Sequence, residues 1–240
     1  MKRAAICLIL FLSSGPALAE DLSEFLNAAT AANRPDVPLR ADGEITVRSP
    51  EATVQDRIIL IVQTNGDVYL ETQRGGVKGL LKPADNEVYV RQGKDSREKK
   101  VALEDALPGT DFAWEDLRPF DVASWGFPVI IDKSPHDVTV QLTPKTRQYI
   151  LVVSTFDREK RVPIKTLYYV EKASNLVKMR TDGDLVEVAD QWLPSKITMK
   201  TFASRSETTL ALKWRKAADL PESLFLSGSL ERDSGLRFAE

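Results

Sequence analysis

The sequence predicts a mainly β protein with short α-helices, built on one large antiparallel sheet, and three observations point there. Period-two apolar positions occur at Ile58, Leu60 and Val62, at Val138, Val140 and Leu142, and at Leu210, Leu212 and Trp214, with polar residues between many of them, the period of strands with one wet face. Turn signals recur at short intervals: Asn65-Gly66-Asp67, Gly75-Gly76, Pro83-Ala84-Asp85-Asn86, Gly93-Lys94-Asp95, Pro144-Lys145 and Asp182-Gly183-Asp184. Helical signals are confined to two short stretches. About ten strands joined as hairpins follow, and a sheet of that size must curl to bury its apolar face against helices or against itself.

In chain order, residues 1–19 come first, with a cationic start (Lys2, Arg3), an apolar run from Ala4 to Leu12 and the small-residue ending Ala17-Leu18-Ala19. This is the pattern of a secretory signal peptide cleaved after Ala19, and its apolar core is shorter than the ~20 residues that span a bilayer. Cys7, the only cysteine, lies inside it, so the mature chain has neither a disulfide nor a lipid-modified cysteine. Residues 20–240 are expected to form a single domain. Lys2 and Arg3 leave with the signal, so 33 basic residues become 31 against 35 acidic ones. That balance argues against nucleic acid as a partner, and the mixed run Arg97-Glu98-Lys99-Lys100 reads as a solvated hairpin end.

Asp21-Leu22-Ser23-Glu24 has the order of a capping box, and Leu22, Phe25, Leu26 and Ala29 follow at helical spacing. Pro35 and Pro38 close this helix. The alternation then runs on to Leu117, where Pro119, Pro128 and Pro135 interrupt it; the stretch from Leu117 to Pro135 is expected to be a long loop. Asn65-Gly66 and Asp182-Gly183 are candidates for two-residue turns, because both central residues tolerate positive φ.

Residues 108–117, Pro-Gly-Thr-Asp-Phe-Ala-Trp-Glu-Asp-Leu, combine a turn with a helix start. Asp111 is expected to cap the helix by accepting from the Trp114 N–H, with Glu115 and Asp116 at its positive end. The stretch resembles the signature of the LolA-like outer-membrane lipoprotein-sorting family, Gly-Ser/Thr-Asp-Phe-Ser-Tyr-Glu-Asp-Leu, with Ala113 where that family usually has Ser. The resemblance extends in pattern over Asp56–Pro108 and Tyr168–Arg232. It implies a half-open curved antiparallel β-barrel covered by an N-terminal helix and a helical lid.

Catalytic and metal constellations are not legible. The mature chain has one histidine, His136, in a polar turn setting, and neither a Gly-x-Ser-x-Gly elbow nor a His-Glu-x-x-His pair. Glu104-Asp105 and Glu115-Asp116 are adjacent, so their carboxylates point apart. Asp182, Asp184 and Glu187 lack the spacing of a calcium loop, and Gly75-Gly76 with Gly79 opens no phosphate-binding helix. Neither an enzyme nor a cofactor is expected.

What remains is apolar surface on one side of a curved sheet, together with the aromatics Phe112, Trp114, Phe120, Trp125 and Phe127 in a loop-like region. These rings either close the barrel end as core or line a pocket for acyl chains, at ~0.8 kcal/mol per buried CH₂. The lining expected is Leu60, Val62, Leu70, Val90, Phe112, Trp114, Leu117, Trp125, Val140, Trp192 and Leu212. The resemblance implies a monomeric periplasmic carrier of a lipidated protein or lipid, served by an inner-membrane exporter or extraction complex and an outer-membrane acceptor. The altered capping position and the long loop between Leu117 and Pro135 favour a specialised paralogue. The alternatives are an envelope-stress sensor or adaptor with the same half-barrel, or an accessory subunit of a lipid-export assembly.

Overall fold

The computed structural model describes residues 21–145 and 148–238, so the expected signal peptide lies outside the described residues. One helix, α1 (Leu22–Ala32), opens the described chain. Asp21 caps it by accepting from the Ser23 N–H at 3.1 Å, and at its far end the Asn33 side chain donates to the Ala29 carbonyl at 2.7 Å, satisfying groups a helix end leaves open.

The rest is one antiparallel sheet. Its strands are β1 (Leu39–Arg48), β2 (Thr53–Val62), β3 (Val68–Thr72), β4 (Val77–Lys82), β5 (Glu87–Gln92), β6 (Lys99–Val101), β7 (Trp125–Lys133), β8 (Asp137–Pro144), β9 (Leu151–Asp157), β10 (Pro163–Tyr169), β11 (Leu176–Val188), β12 (Gln191–Thr201) and β13 (Ser206–Lys216). They lie in the order 6-5-4-3-2-1-13-12-11-10-9-8-7. Two meanders are thus sewn together along β1 and β13, from Leu39 opposite Lys216 to Arg48 opposite Glu207. β6 and β7 end up at opposite edges of an open, curved sheet. The connection between them, residues 102–124, must therefore cross the sheet from one edge to the other.

That crossing occupies the inner face. Phe112 and Trp114 from the crossing, Phe25 and Leu26 from α1, and inward residues of both meanders, such as Leu70, Val90, Val140 and Leu212, form one buried cluster. Phe156 joins the parts, edge-on to both Phe25 and Phe120 with ring centroids 5.7 and 4.9 Å away. At ~1.5–3 kcal/mol for each large apolar side chain buried, this face supplies most of the drive to curl.

The outer face of β2–β5 is not wet, contrary to the expectation of one solvated side. Ile59, Ile61, Tyr69 and Leu80 point outward and are covered by Leu224 and Leu230 of the C-terminal segment, with Leu236 and Phe238 packed alongside. The Glu98 carboxylate fixes that segment by accepting from the backbone N–H groups of Gly228 and Leu230 at 2.7 and 3.1 Å. Glu98 belongs to the charged run expected to be a solvated hairpin end.

Three local expectations are corrected. Most of the stretch from Leu117 to Pro135 is strand: β7 runs through Pro128, with register shifts after Gly126 and Ile130, which an edge strand tolerates because its outward N–H groups need no partner. Asp182 and Gly183 lie within β11, opposite Ile197 and Lys196. The β11–β12 turn is instead Ala189-Asp190, both at positive φ. The helix expected after Asp111 is a 3-10 turn, Trp114–Leu117, capped from within: Asp116 Oδ2 accepts from the Ala113 N–H at 2.7 Å. Asp111 faces β13 instead, accepting from the Ser206 and Thr208 hydroxyls.

Candidate functional site

The crossing segment does not fill the inner face. A cavity of about 190 Å³ remains between it, α1's exit at Asn33 and Pro35, and strands β1, β2 and β9–β13. One side is apolar: Leu60, Val62, Leu117, Phe120, Trp125 and Trp214 border it. Trp214 is held by its indole N–H, which donates to the Pro194 carbonyl at 2.8 Å.

The opposite wall is polar and belongs to β9, β10 and β11. Alternation brings Ser154, Thr166, Tyr168, Arg180 and Asp182 inward, and register aligns Ser154 with Thr166 and Thr166 with Arg180 across three strands. The Ser154 and Thr166 hydroxyls are 3.1 Å apart. Arg180 Nε donates to both oxygens of Asp182, at 2.8 and 3.0 Å, and its Nη1 donates to the Asp116 carbonyl. Burial works against the Arg180 charge, but Asp182 in bidentate contact outweighs it and raises the guanidinium pKa. The crossing segment adds Asp116 to this wall. Burial raises its carboxyl above the usual range, opposed by Lys178, whose Nζ is 3.8 Å from Oδ2. Tyr149 stacks at a tilt on Tyr168, with centroids 4.8 Å apart, and burial pushes both phenols up. The result is an amphipathic hollow: apolar on one side, lined with paired charges and phenols on the other.

A family model described as uncharacterized protein matches residues 81–232, more than half of the chain, including the crossing segment and the polar strands. The chain belongs to that family. No curated protein matches it. Among solved structures, it is similar to a domain from Vibrio parahaemolyticus named for outer membrane lipoprotein sorting, at 16% identity and TM-score 0.76, covering 87% of this chain and 97% of that one. A DUF1329 family protein from Desulfovibrio piger is similar at 14% identity and TM-score 0.73, over 87% and 98% of the two chains. A LolA superfamily protein from Nitrosomonas europaea is similar at 18% identity and TM-score 0.67, over 85% and 97%. At these identities the likeness establishes the fold, a mainly β LolA-like curved sheet, and fold alone does not fix function.

Of the residues expected to line a pocket, Leu60, Val62, Phe112, Leu117 and Trp125 border the cavity. Leu70, Val90, Trp114, Val140 and Leu212 belong to the inner cluster without reaching it. Trp114 is 1% exposed and packs against Gly79, where a Cβ would lie 2.2 Å from its ring; it is a core wedge. Trp192 does not border the cavity: Gln191, Leu193, Pro194 and Ile197 of β12 do, while the Trp192 ring lies beneath the Lys160 ammonium, 4.5 Å from the ring centroid. Phe127 is also misplaced by the sequence reading, being 85% exposed. The polar wall was missed altogether. Its only sequence signal is the run Lys178-x-Arg180-x-Asp182 at period two, which reads as a solvated face as readily as an inner one.

Proposed function

We propose that this protein is a periplasmic carrier whose inner cavity shelters an acyl chain of a lipoprotein or lipid between the inner and outer membranes. The observation that carries this reading is the hollow of about 190 Å³ left between the crossing segment and the sheet, because a sheet curled only for stability would close it with side chains. That volume is well above the ~15 Å³ that a single water needs, so the hollow admits a stretch of alkyl chain on the order of ten methylenes. Their burial gives on the order of 10 kcal/mol before ordering costs, enough to hold a chain taken from a donor without chemistry, so binding is the whole activity.

Residues 20–240 act on this reading as one lipid-binding unit and as a monomer. Both sheet edges suit a monomer, since β6 is three residues long and Pro128 lies within the edge strand β7, and both features discourage edge pairing. The part of the crossing that parts for cargo is residues 118–124 with α1. The stretch before it is pinned by Asp111, Trp114 and Asp116, whereas Arg118 is tied to Ser124 and Val122 to Thr30 by single hydrogen bonds of 3.0 and 2.9 Å. Open and closed forms must lie within a few kcal/mol for release. An inner-membrane exporter or extraction complex and an outer-membrane acceptor are the partners such a carrier requires.

The test is organic extraction of the purified protein followed by mass spectrometry, with titration of an environment-sensitive fatty-acyl probe. Co-purified acyl lipid and saturable probe binding that Trp125→Asp weakens about tenfold or more are expected. An empty extract together with no saturable binding refutes the carrier. Trp125 is the right position for this change, because Asp at Trp114 would disrupt the core instead.

A further inference from the structure

We propose that the cavity reads the polar junction of its acyl ligand through Asp116 Oδ1 and the Tyr149 hydroxyl, selecting an uncharged hydrogen-bond donor, a hydroxyl or amide N–H, over a carboxylate. This rests on the carrier reading and names the ligand class within it. Asp116 and Tyr149 are each only 4% exposed, both border the cavity, and neither Asp116 Oδ1 nor the Tyr149 hydroxyl has a hydrogen-bond partner among the described residues. The other Asp116 oxygen is already committed, to the Ala113 N–H at 2.7 Å and to Lys178 at 3.8 Å. The Tyr168 hydroxyl faces the same carboxylate without completing a bond to Oδ1. Buried polar atoms are nearly always paired, and leaving one open costs stability. Two open atoms on one cavity wall mark a place for a group that the protein does not itself supply.

The surrounding charges choose that group. Arg180 is paired with Asp182 and Lys178 with Asp116, and Glu115 adds a further carboxylate that acts on Tyr149, so these two cations already have carboxylate partners before an anionic head enters. A carboxylate head would meet the Asp116 carboxylate at close range in a desolvated site and would have no proton to give Oδ1. An ammonium head would donate, but it would add a positive charge beside Lys178 and Arg180. A hydroxyl can donate to Asp116 Oδ1 and accept from the Tyr149 O–H; an amide can do the same with its N–H and C=O. The alkyl chain then leads away across Leu60, Val62, Phe120 and Trp125.

Calorimetric titration of the delipidated protein with monolauroylglycerol, lauramide, laurate and dodecylamine tests this. Monolauroylglycerol and lauramide should each bind at least about tenfold tighter than laurate or dodecylamine, and the stronger of the two tells a glycerol hydroxyl from an amide junction. Tyr149→Phe removes a hydroxyl with no partner among the described residues, so its melting temperature should not fall, while the preference over laurate should shrink to about twofold. Asp116→Asn, checked for folding by the same melt, should shrink it as well. Equal affinities for all four ligands, tightest binding of laurate or dodecylamine, or an intact preference in a folded Tyr149→Phe protein overturns the inference while leaving a carrier of acyl chains. Binding of none of the four overturns the carrier reading with it.

Discussion

Gly79→Ala isolates the contact that seats the crossing segment on the sheet. A Cβ at residue 79 would lie 2.2 and 2.3 Å from the Trp114 Cη2 and Cζ3 atoms, against about 3.4 Å for ordinary contact, so the ring or the strand must move by roughly 1 Å. Trp114 is 1% exposed and enclosed by the inner cluster, which leaves the ring little room to retreat. Overpacking of this kind costs about 1–3 kcal/mol, and for a chain of this size each kcal/mol lowers Tm by about 2–4 °C. The sign is diagnostic. Gly79 has no positive φ, so without the ring Ala should stabilise a strand interior by about 0.5–1 kcal/mol. Thermal and urea melts of Gly79→Ala, Trp114→Phe and the double variant form a cycle, and relief of the clash by the smaller ring should make the double variant at least 1 kcal/mol more stable than additivity predicts. A neutral or stabilising Gly79→Ala, or strict additivity, would refute the wedge.

Thr208→Val should destabilise by about 1–3 kcal/mol, because the fully buried Thr208 hydroxyl both donates to Asp111 Oδ2 at 2.8 Å and accepts from the Asp111 N–H at 2.9 Å; Thr208→Ser should restore most of the loss, and equal melts of Val and Ser would sink the pin. Burial holds the Asp116 pKa above its ordinary 3.8 against the pull of Lys178, so between 3.8 and that raised value the folded state carries a proton the unfolded chain has released. The charged carboxylate therefore costs stability above its folded pKa, and the cost is relieved as pH falls through it toward 3.8. Wild type should gain on Asp116→Asn in Tm over that descent, and a difference that stays constant with pH would contradict the raised pKa.

The parts legible in the sequence are those whose neighbours differ in polarity. In β8 an apolar inner face (Val138, Val140, Leu142) alternates with polar residues, so period two gives both the strand and the side it buries, whereas in β2 the continuous run Ile58 to Val62 hides a second buried face. In β10 and β11 the inner positions include Thr166, Tyr168, Lys178, Arg180 and Asp182, and the same period then points the wrong way, because a polar row buried beneath a crossing segment looks like one facing water; in β9 only Ser154 interrupts the apolar inner pair Val152 and Phe156. Asp182-Gly183 has good turn chemistry, yet the β11–β12 ladder continues past it to Val188 opposite Gln191, and Arg180, two residues back, holds the Asp182 carboxylate inside. Local propensity yields there to pairing that spans the strand.

The crossing segment shows why the site resists sequence reading more than the fold does. Asp111 with Trp114 and Ala113 with Asp116 have the same three-residue spacing; the first suits a side-chain N-cap, the second the return bond of a capping box, from the Ala113 N–H to Asp116. The choice is made by Ser206 and Thr208 on β13, which receive Asp111 and leave Asp116 to close the turn. Once Asp116 does so, its carboxylate is carried to the polar wall, where the capping oxygen Oδ2 also meets Lys178. β13 neighbours β12 and β12 neighbours β11, so the pin and the wall lie two strands apart in space but far apart in sequence. Moving Asp111 off β13 would therefore shift the register of the crossing and displace Asp116 from the cavity, so a lesion at Thr208 should weaken ligand discrimination as well as stability.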